Sequence, residues 1–188
     1  MHATVTARVL GLLLILFSVT MLPPIAVSII YSEPFTGIFL SAFSITLLAG
    51  LIIWLPVRQS SYELRTRDGF IVTVLFWLVL SIFGTLPFLF SDALELSFVD
   101  ALFESVSGLT TTGATVLSGL DDLPKSLLYY RQQLQWLGGI GIIVIAVAVL
   151  PMLGVGGMQI YRAEAPGPMK DTKITPRITE TATVLFKI

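Results

Sequence analysis

Long uncharged apolar runs constrain this chain more than any other feature of its sequence. Four of them are long enough to cross about 30 Å of hydrocarbon as helices that rise about 1.5 Å per residue. They occupy residues 9–30, 37–57, 69–90 and 134–153. Only 12% of the residues are charged and the mean hydropathy is +0.90, whereas a water-soluble domain usually carries about 25% charged residues. The sequence therefore predicts an all-α membrane protein with four transmembrane helices.

The first apolar run has a second interpretation. Arg8 followed by apolar residues is typical of a secretory signal peptide. However, no cleavage site of small residues follows, and apolar residues resume after Pro23 and Pro24. We therefore expect a membrane helix that is kinked at the two prolines, because proline removes a backbone hydrogen bond.

Composition excludes several classes of function. The chain has no cysteine, which rules out disulfides and thiolate chemistry. Its single histidine, His2, lies at the amino terminus, where chains usually fray, so histidine-based catalysis is not expected. A net charge of −1 gives no support for nucleic-acid binding. The four apolar runs contain no ionisable residue between their ends, which argues against an enzyme that acts inside the membrane.

Basic residues predict the orientation of the chain. Most of its 11 lysines and arginines lie before the first run, between the second and third, or after the fourth, so these segments should be cytoplasmic. Only Lys125 and Arg131 lie on the opposite side. Acidic residues on that outer side would concentrate cations, although a solvated loop explains any single one of them equally well. They are Glu33, Asp92, Glu95, Asp100, Glu104, Asp121 and Asp122.

A short segment between the third and fourth runs predicts a re-entrant loop. Residues 98–109 are too few to cross a membrane, and their apolar positions recur at helical spacing. Ser97 and Asp100 stand at the spacing of a capping box, so a helix should begin there. The polar residues 110–115, with the sequence TTTGAT, follow directly. If this segment enters and leaves the membrane on the same face, the basic carboxyl-terminal tail stays cytoplasmic. This agrees with the orientation that the basic residues predict.

The residue types of segment 110–115 suit a cation site. A partly dehydrated potassium ion needs several oxygens, which the backbone carbonyls of an extended chain supply. Glycine lets the chain aim those carbonyls without a Cβ clash, and threonine hydroxyls add further oxygens. The preceding helix would point the negative end of its dipole toward the ion. A threonine-rich turn after a buried helix is the alternative for these six residues taken alone.

Glycines early in the fourth run predict close helix packing. Gly138, Gly139 and Gly141 form the sequence GGIG, which superficially resembles a nucleotide-binding loop. No strand precedes them, and no lysine follows at the spacing of a phosphate-binding loop. Small residues in a membrane helix let a neighbouring backbone approach, which is the interpretation we adopt.

Two segments resemble the TrkH family of bacterial potassium uptake proteins: FVDALFESVSGLTTTGATVL and QWLGGIGIIVIAVAVLPMLGVGGMQIYRAE. The resemblance covers essentially the whole chain. It implies two extra helices followed by four covalently linked repeats of helix, re-entrant pore loop and helix around one central pore. It also implies that potassium is coordinated by Thr111, Thr112 and Gly113, with Thr110 and Ala114 beside them.

The resemblance implies an organisation and partners as well. Residues 1–68 would form the two extra helices and a cytoplasmic loop, residues 69–160 the first repeat, and residues 161–188 a cytoplasmic segment and the start of the next repeat. A single repeat cannot surround an ion, so we interpret the chain as an amino-terminal fragment of a longer protein. Members of the family form homodimers and pair with a cytosolic nucleotide-binding regulatory protein, TrkA.

These observations predict a potassium-transporting pore subunit of a Trk-type uptake system rather than an enzyme. It should lie in the bacterial inner (plasma) membrane with both ends of the chain cytoplasmic, carry K⁺ as its transported ion and need no organic cofactor. Two alternatives stay open: a multi-pass transporter coupled to another ion, and a non-transport membrane protein, such as an enzyme or assembly factor, with a structural re-entrant loop. The choice between channel and symporter also stays open.

Overall fold

The computed structural model describes residues 3–59 and 66–152, and all regular elements within these ranges are helical. The helices are α1 (Ala3–Val19), α2 (Leu22–Ile30), α3 (Thr36–Trp54), α4 (Thr66–Gly84), α5 (Leu86–Leu89), α6 (Phe98–Leu109) and α7 (Lys125–Met152), with short 3₁₀ turns at Leu55–Val57 and Leu120–Asp122. The chain divides into two units after Gly141, and the described part of the second unit is the end of α7. The predicted segment 161–188 lies outside the described residues.

Three helical stretches of the described residues are long and apolar enough to cross a membrane, judged by length and composition. They are Thr4–Ile30, Thr36–Val57 and Ile71–Leu89, which correspond to the first three predicted spans. Between 22% and 33% of their apolar windows is buried inside the protein, so most of this surface is left for lipid or for other protein. The fourth predicted span, 134–153, lies in α7 as far as Met152, and its crossing of the membrane stays a prediction.

The first stretch is interrupted just ahead of its two prolines. Helix α1 ends at Val19 and α2 begins at Leu22, so Pro23 and Pro24 fall in the first turn of α2. Proline is tolerated in a first turn because the missing N–H has no partner within the helix there. The break therefore precedes the prolines, whereas the sequence predicts a kink at Pro23 and Pro24 themselves.

Tyr130 joins α7 to three other helices at one buried point. Its side chain is completely buried, and its hydroxyl donates a hydrogen bond to the carbonyl oxygen of Gly84 at the end of α4, 2.9 Å away. Its ring lies edge-on to Phe39 of α3 and tilted against Phe88 of α5, with ring centroids 5.7 and 5.2 Å apart. These contacts hold the start of α7 firmly against the helices that precede α6.

Glycines bring the end of α6 into backbone contact with α7. A Cβ atom at Gly138 would overlap the carbonyl group of Leu109, 2.7 Å from its carbon, and one at Gly108 would lie 2.9 Å from Cβ of Leu134. Gly139 has no neighbouring atom within 4 Å of such a Cβ, so it is not part of the contact. The predicted close packing is therefore confirmed at Gly138. It fixes the point from which the chain leaves α6.

Candidate functional site in the loop after helix α6

Helix α6 has the length and the cap that the sequence predicts. It covers 12 residues, Phe98–Leu109, and Ser97 precedes it in an extended conformation. The hydroxyl of Ser97 accepts a hydrogen bond from the backbone N–H of Asp100 at 3.2 Å and donates one to the Asp100 carboxylate at 2.6 Å. This cap satisfies a backbone donor that the first turn of a helix leaves without a partner.

The chain turns sharply as it leaves α6. The backbone N–H groups of Thr112 and Gly113 both donate to the carbonyl oxygen of Ser107, at 3.0 and 3.4 Å. Thr111 and Gly113 have φ values of +57° and +75°. Glycine adopts this left-handed region freely, but threonine does so only under strain, which surrounding contacts must hold in place. The loop therefore has a defined conformation that its sequence alone does not favour at Thr111.

Two carbonyl groups of the loop are occupied by donors from the protein. The carbonyl oxygen of Gly113 accepts a hydrogen bond from Nη2 of Arg131 at 3.1 Å. That of Ala114 accepts one from the hydroxyl of Ser107 at 2.6 Å. These bonds tie the second half of the loop to α7 and α6 respectively.

The first half of the loop presents oxygens that the protein leaves open. Residues 110–116 are exposed, and within residues 3–59 and 66–152 no donor contacts the carbonyl oxygens of Thr111 and Thr112. The hydroxyls of Thr110 and Thr112 lie 2.9 Å apart in a shared hydrogen bond. The same described residues contain no group of three histidine, cysteine or acidic side chains that could hold a metal ion. Backbone oxygens are therefore the groups through which this loop could bind a cation.

A buried ion pair lies directly behind the loop. Glu104 of α6 is 1% exposed and Arg131 of α7 is 7% exposed, and Nε of Arg131 lies 3.0 Å from Oε2 of Glu104. The other carboxylate oxygen, Oε1, accepts hydrogen bonds from the hydroxyl of Thr115 at 2.6 Å and from the backbone N–H of Val116 at 2.7 Å. With three donors on one carboxylate, the buried charge is well compensated.

This pairing corrects the expectation that Glu104 belongs to an acidic outer surface. A carboxylate is buried only when donors replace its water, and Glu104 finds them in the loop and in Arg131. Of the other acidic residues in that group, Asp92, Glu95, Asp121 and Asp122 are exposed and Asp100 is partly exposed.

Glu33 is also engaged by the protein rather than left to attract cations. Its carboxylate accepts hydrogen bonds from the backbone N–H of Lys125 at 2.6 Å and from Ser126 at the start of α7. Partial burial raises the pKa of Glu33, but the hydrogen bonds from Ser126 and Lys125 outweigh it and leave that pKa below its ordinary value. The carboxylate therefore stays charged at neutral pH and remains bound to the start of α7.

Sequence reasoning missed Glu104 and Arg131 as residues of the site. Each is a lone charge in a long uncharged stretch: Glu104 is the only charged residue in 101–120, and Arg131 the only one in 126–161. Two isolated opposite charges in apolar surroundings are a signal for a buried pair, because neither can be buried cheaply alone. The structure brings Thr110, Thr111, Thr112, Gly113 and Ala114 together in one loop, while potassium binding there stays a prediction.

Comparisons with known proteins indicate the family of the chain. A family profile described as "TrkH: Cation transport protein" matches residues 37–188. The "Trk system potassium uptake protein TrkH" of Halomonas elongata is 59% identical over 181 residues, or 96% of this chain, and that of Escherichia coli is 55% identical over 188 residues, or 100% of it. The chain spans 38% and 39% of the lengths of these two relatives.

A solved structure shows the same fold. The crystal structure of the potassium transporter TrkH from Vibrio parahaemolyticus matches with a TM-score of 0.82 and 49% identity. The match covers 100% of this chain and 36% of that one. Profile, sequence identity and fold point to one conclusion: the chain belongs to the TrkH family of cation transport proteins.

Proposed function

We propose that the protein containing these residues is the potassium-transporting pore subunit of a Trk-type uptake system, with transport rather than catalysis as its activity. The observation that carries the proposal is the pair of open carbonyl oxygens at Thr111 and Thr112, in an exposed loop that directly follows a capped helix. Potassium uptake by the named relatives supports the choice of ion.

The loop would act as one wall of a selectivity filter. The carbonyls of Thr111 and Thr112 replace water around a potassium ion, and the paired hydroxyls of Thr110 and Thr112 brace them. Gly113 and Ala114 complete the segment predicted from the resemblance, and the left-handed turn at Gly113 directs the chain away from the helix. Helix α6 ends at the loop, so the negative end of its dipole favours a cation there.

The proposed architecture is a first repeat, residues 69–160, that follows two extra helices in residues 1–68. Helix α6 has 12 residues and extends about 18 Å, too short to cross a membrane, which supports a re-entrant path. Helix α7 would be the fourth span. One such loop contacts an ion from one side only, so four repeats would be needed to surround it. The greater length of the relatives leaves room for three more repeats, the first of which residues 161–188 would begin.

Location and partners follow from the same reasoning. Basic residues on one side of the spans support a bacterial inner membrane protein with both ends of this chain cytoplasmic. The exposed acidic residues Asp92, Glu95, Asp121 and Asp122 would then lie at the outer mouth. Homodimer formation and a TrkA-like cytosolic partner are proposed from the family resemblance.

Flux through reconstituted protein tests the function. The full-length protein is placed in liposomes, and potassium and sodium fluxes are measured separately under matched gradients, with protein-free liposomes as the control. A potassium flux well above that of sodium is the expected result. Flux of neither ion, or equal flux of both, would refute a potassium-selective pore.

Three further helix–loop–helix repeats encoded downstream would support the four-repeat architecture, and a stop codon directly after residue 188 would contradict it.

A further inference from the structure

Glu104 and Arg131 hold the loop on both sides of Ala114. Arg131 binds the carbonyl of Gly113 before it, and Glu104 binds Thr115 and Val116 after it. A guanidinium presents its donors as a rigid planar fork, so one side chain can bind Glu104 through Nε and Gly113 through Nη2 at the same time. The ion pair thus clamps the chain immediately after the two open carbonyls.

The positive charge of Arg131 lies close to the path proposed for the cation. Its Nη2 is 3.1 Å from a carbonyl oxygen of the same loop that presents Thr111 and Thr112. An uncompensated guanidinium there would repel potassium, and its burial would keep salt from screening the repulsion. The carboxylate of Glu104, 3.0 Å from Nε, offsets that charge.

We propose that Arg131 is a positioning residue that orients the loop through Gly113, and that Glu104 cancels the charge of Arg131 beside the ion path. This inference rests on the potassium-selective pore proposed above. It assigns Gly113 to the turn and to the Arg131 contact, so that coordination in this segment falls mainly to the carbonyls of Thr111 and Thr112.

The test separates charge balance from loop geometry with variants of the full-length protein in liposomes. They are wild type, Glu104→Gln, Arg131→Gln, Arg131→Lys and the double variant Glu104→Gln/Arg131→Gln. Two quantities are measured: the potassium concentration that gives half-maximal flux, and the ratio of potassium to sodium flux. Arg58→Gln, which removes an exposed arginine after α3, is the control for loss of a positive charge and should match wild type.

Each variant has a distinct expected result. Glu104→Gln leaves Arg131 unpaired and should raise the half-saturating potassium concentration about tenfold. The double variant removes both charges and should return that concentration to within about threefold of wild type. Arg131→Gln and the double variant should both lower the flux ratio about tenfold, because Gly113 is released. Arg131→Lys keeps the positive charge but loses the planar guanidinium that binds two groups at once. It should therefore lower the ratio of potassium to sodium flux, while the half-saturating potassium concentration stays near that of wild type.

A purely structural role predicts a different pattern. The half-saturating potassium concentration of the double variant would then be as high as that of Glu104→Gln, or higher. That result would overturn the charge-balance inference. A wild-type flux ratio in Arg131→Gln would overturn the positioning role. If Glu104→Gln does not elute as folded protein, Arg131→Lys and the double variant decide by the same two measurements. Absence of potassium flux in wild type would instead count against the proposed function.

Discussion

Glu33 accepts two hydrogen bonds from Ser126, one from its hydroxyl at 2.6 Å and one from its backbone N–H at 3.1 Å. A third comes from the backbone N–H of Lys125 at 2.6 Å. The carboxylate thereby caps the start of α7, where a helix has unpaired N–H groups and the positive end of its dipole. Through this cap, the turn between α2 and α3 holds the last helix of the proposed repeat.

Glu33→Gln should weaken the fold by about 0.5–1 kcal/mol at neutral pH, because it removes the charge from this cap while keeping its size, and water partly screens a charge at this partly exposed position. Since the pKa of Glu33 is lowered below its ordinary 4.5, the charge contributes fully above that value, and the contribution is lost as the pH falls through the lower folded pKa. Thermal unfolding in detergent should show a wild-type advantage at about pH 7 that shrinks toward about pH 3. An advantage independent of pH would contradict the charged cap, and Glu95→Gln at an exposed carboxylate should change little.

Gly113→Ser should lower the selectivity for potassium over sodium, because it stiffens and strains the turn of the loop. The matched control is Gly119→Ser: the φ values of the two glycines are +75° and +65°, and the atom nearest an added Cβ lies 3.6 Å away at Gly113 and 4.0 Å away at Gly119. Both substitutions should therefore cost a similar backbone strain, about 1–2 kcal/mol. Flux ratios in liposomes should fall only for the Gly113 variant. Equal losses for both would mean that the effect is general destabilisation.

Gly138→Ala should destabilise the protein by about 2 kcal/mol or more, because the new methyl group would overlap the carbonyl of Leu109. Gly139→Ala is the control, with no atom within 4 Å of the added carbon. Alanine is the better helix former, so that variant should be neutral or more stable by up to about 1 kcal/mol. Thermal unfolding of both variants in detergent measures the difference. Two equally stable variants would rule out the close backbone contact.

Ser97→Ala should loosen the first turn of α6 by about 1 kcal/mol, because it removes the hydroxyl that caps Asp100. Ser97→Thr keeps a hydroxyl and should retain most of the protection of these backbone amides against hydrogen exchange. Amide hydrogen exchange in residues 98–102 is the measurement, and faster exchange is expected in the alanine variant alone. Unchanged exchange in Ser97→Ala would show that packing rather than the cap holds this end of the helix.

Much of the secondary structure could be predicted because its causes are local. Three apolar runs correspond to the membrane-length helices, since length and hydropathy belong to the run itself. Helix α6 begins and ends where predicted because Ser97 and Asp100 are three positions apart and the apolar spacing is helical. The break ahead of Pro23 is harder to predict from sequence, since prolines can either end one helix or begin the next.

The sequence by itself determined the membrane environment, the short capped helix and the TTTGAT loop that follows it. Only the tertiary structure decided what holds that loop: Arg131 lies 27 positions from Glu104, and Ser126 lies 93 positions from Glu33. The sequence alone places Glu104 and Glu33 on an acidic surface, yet both accept hydrogen bonds from α7. A charge in apolar surroundings is tolerated only with a partner, and a partner so far along the chain is chosen by how the helices pack. Local patterns therefore locate the loop, and helix packing decides its geometry and the charged pair behind it.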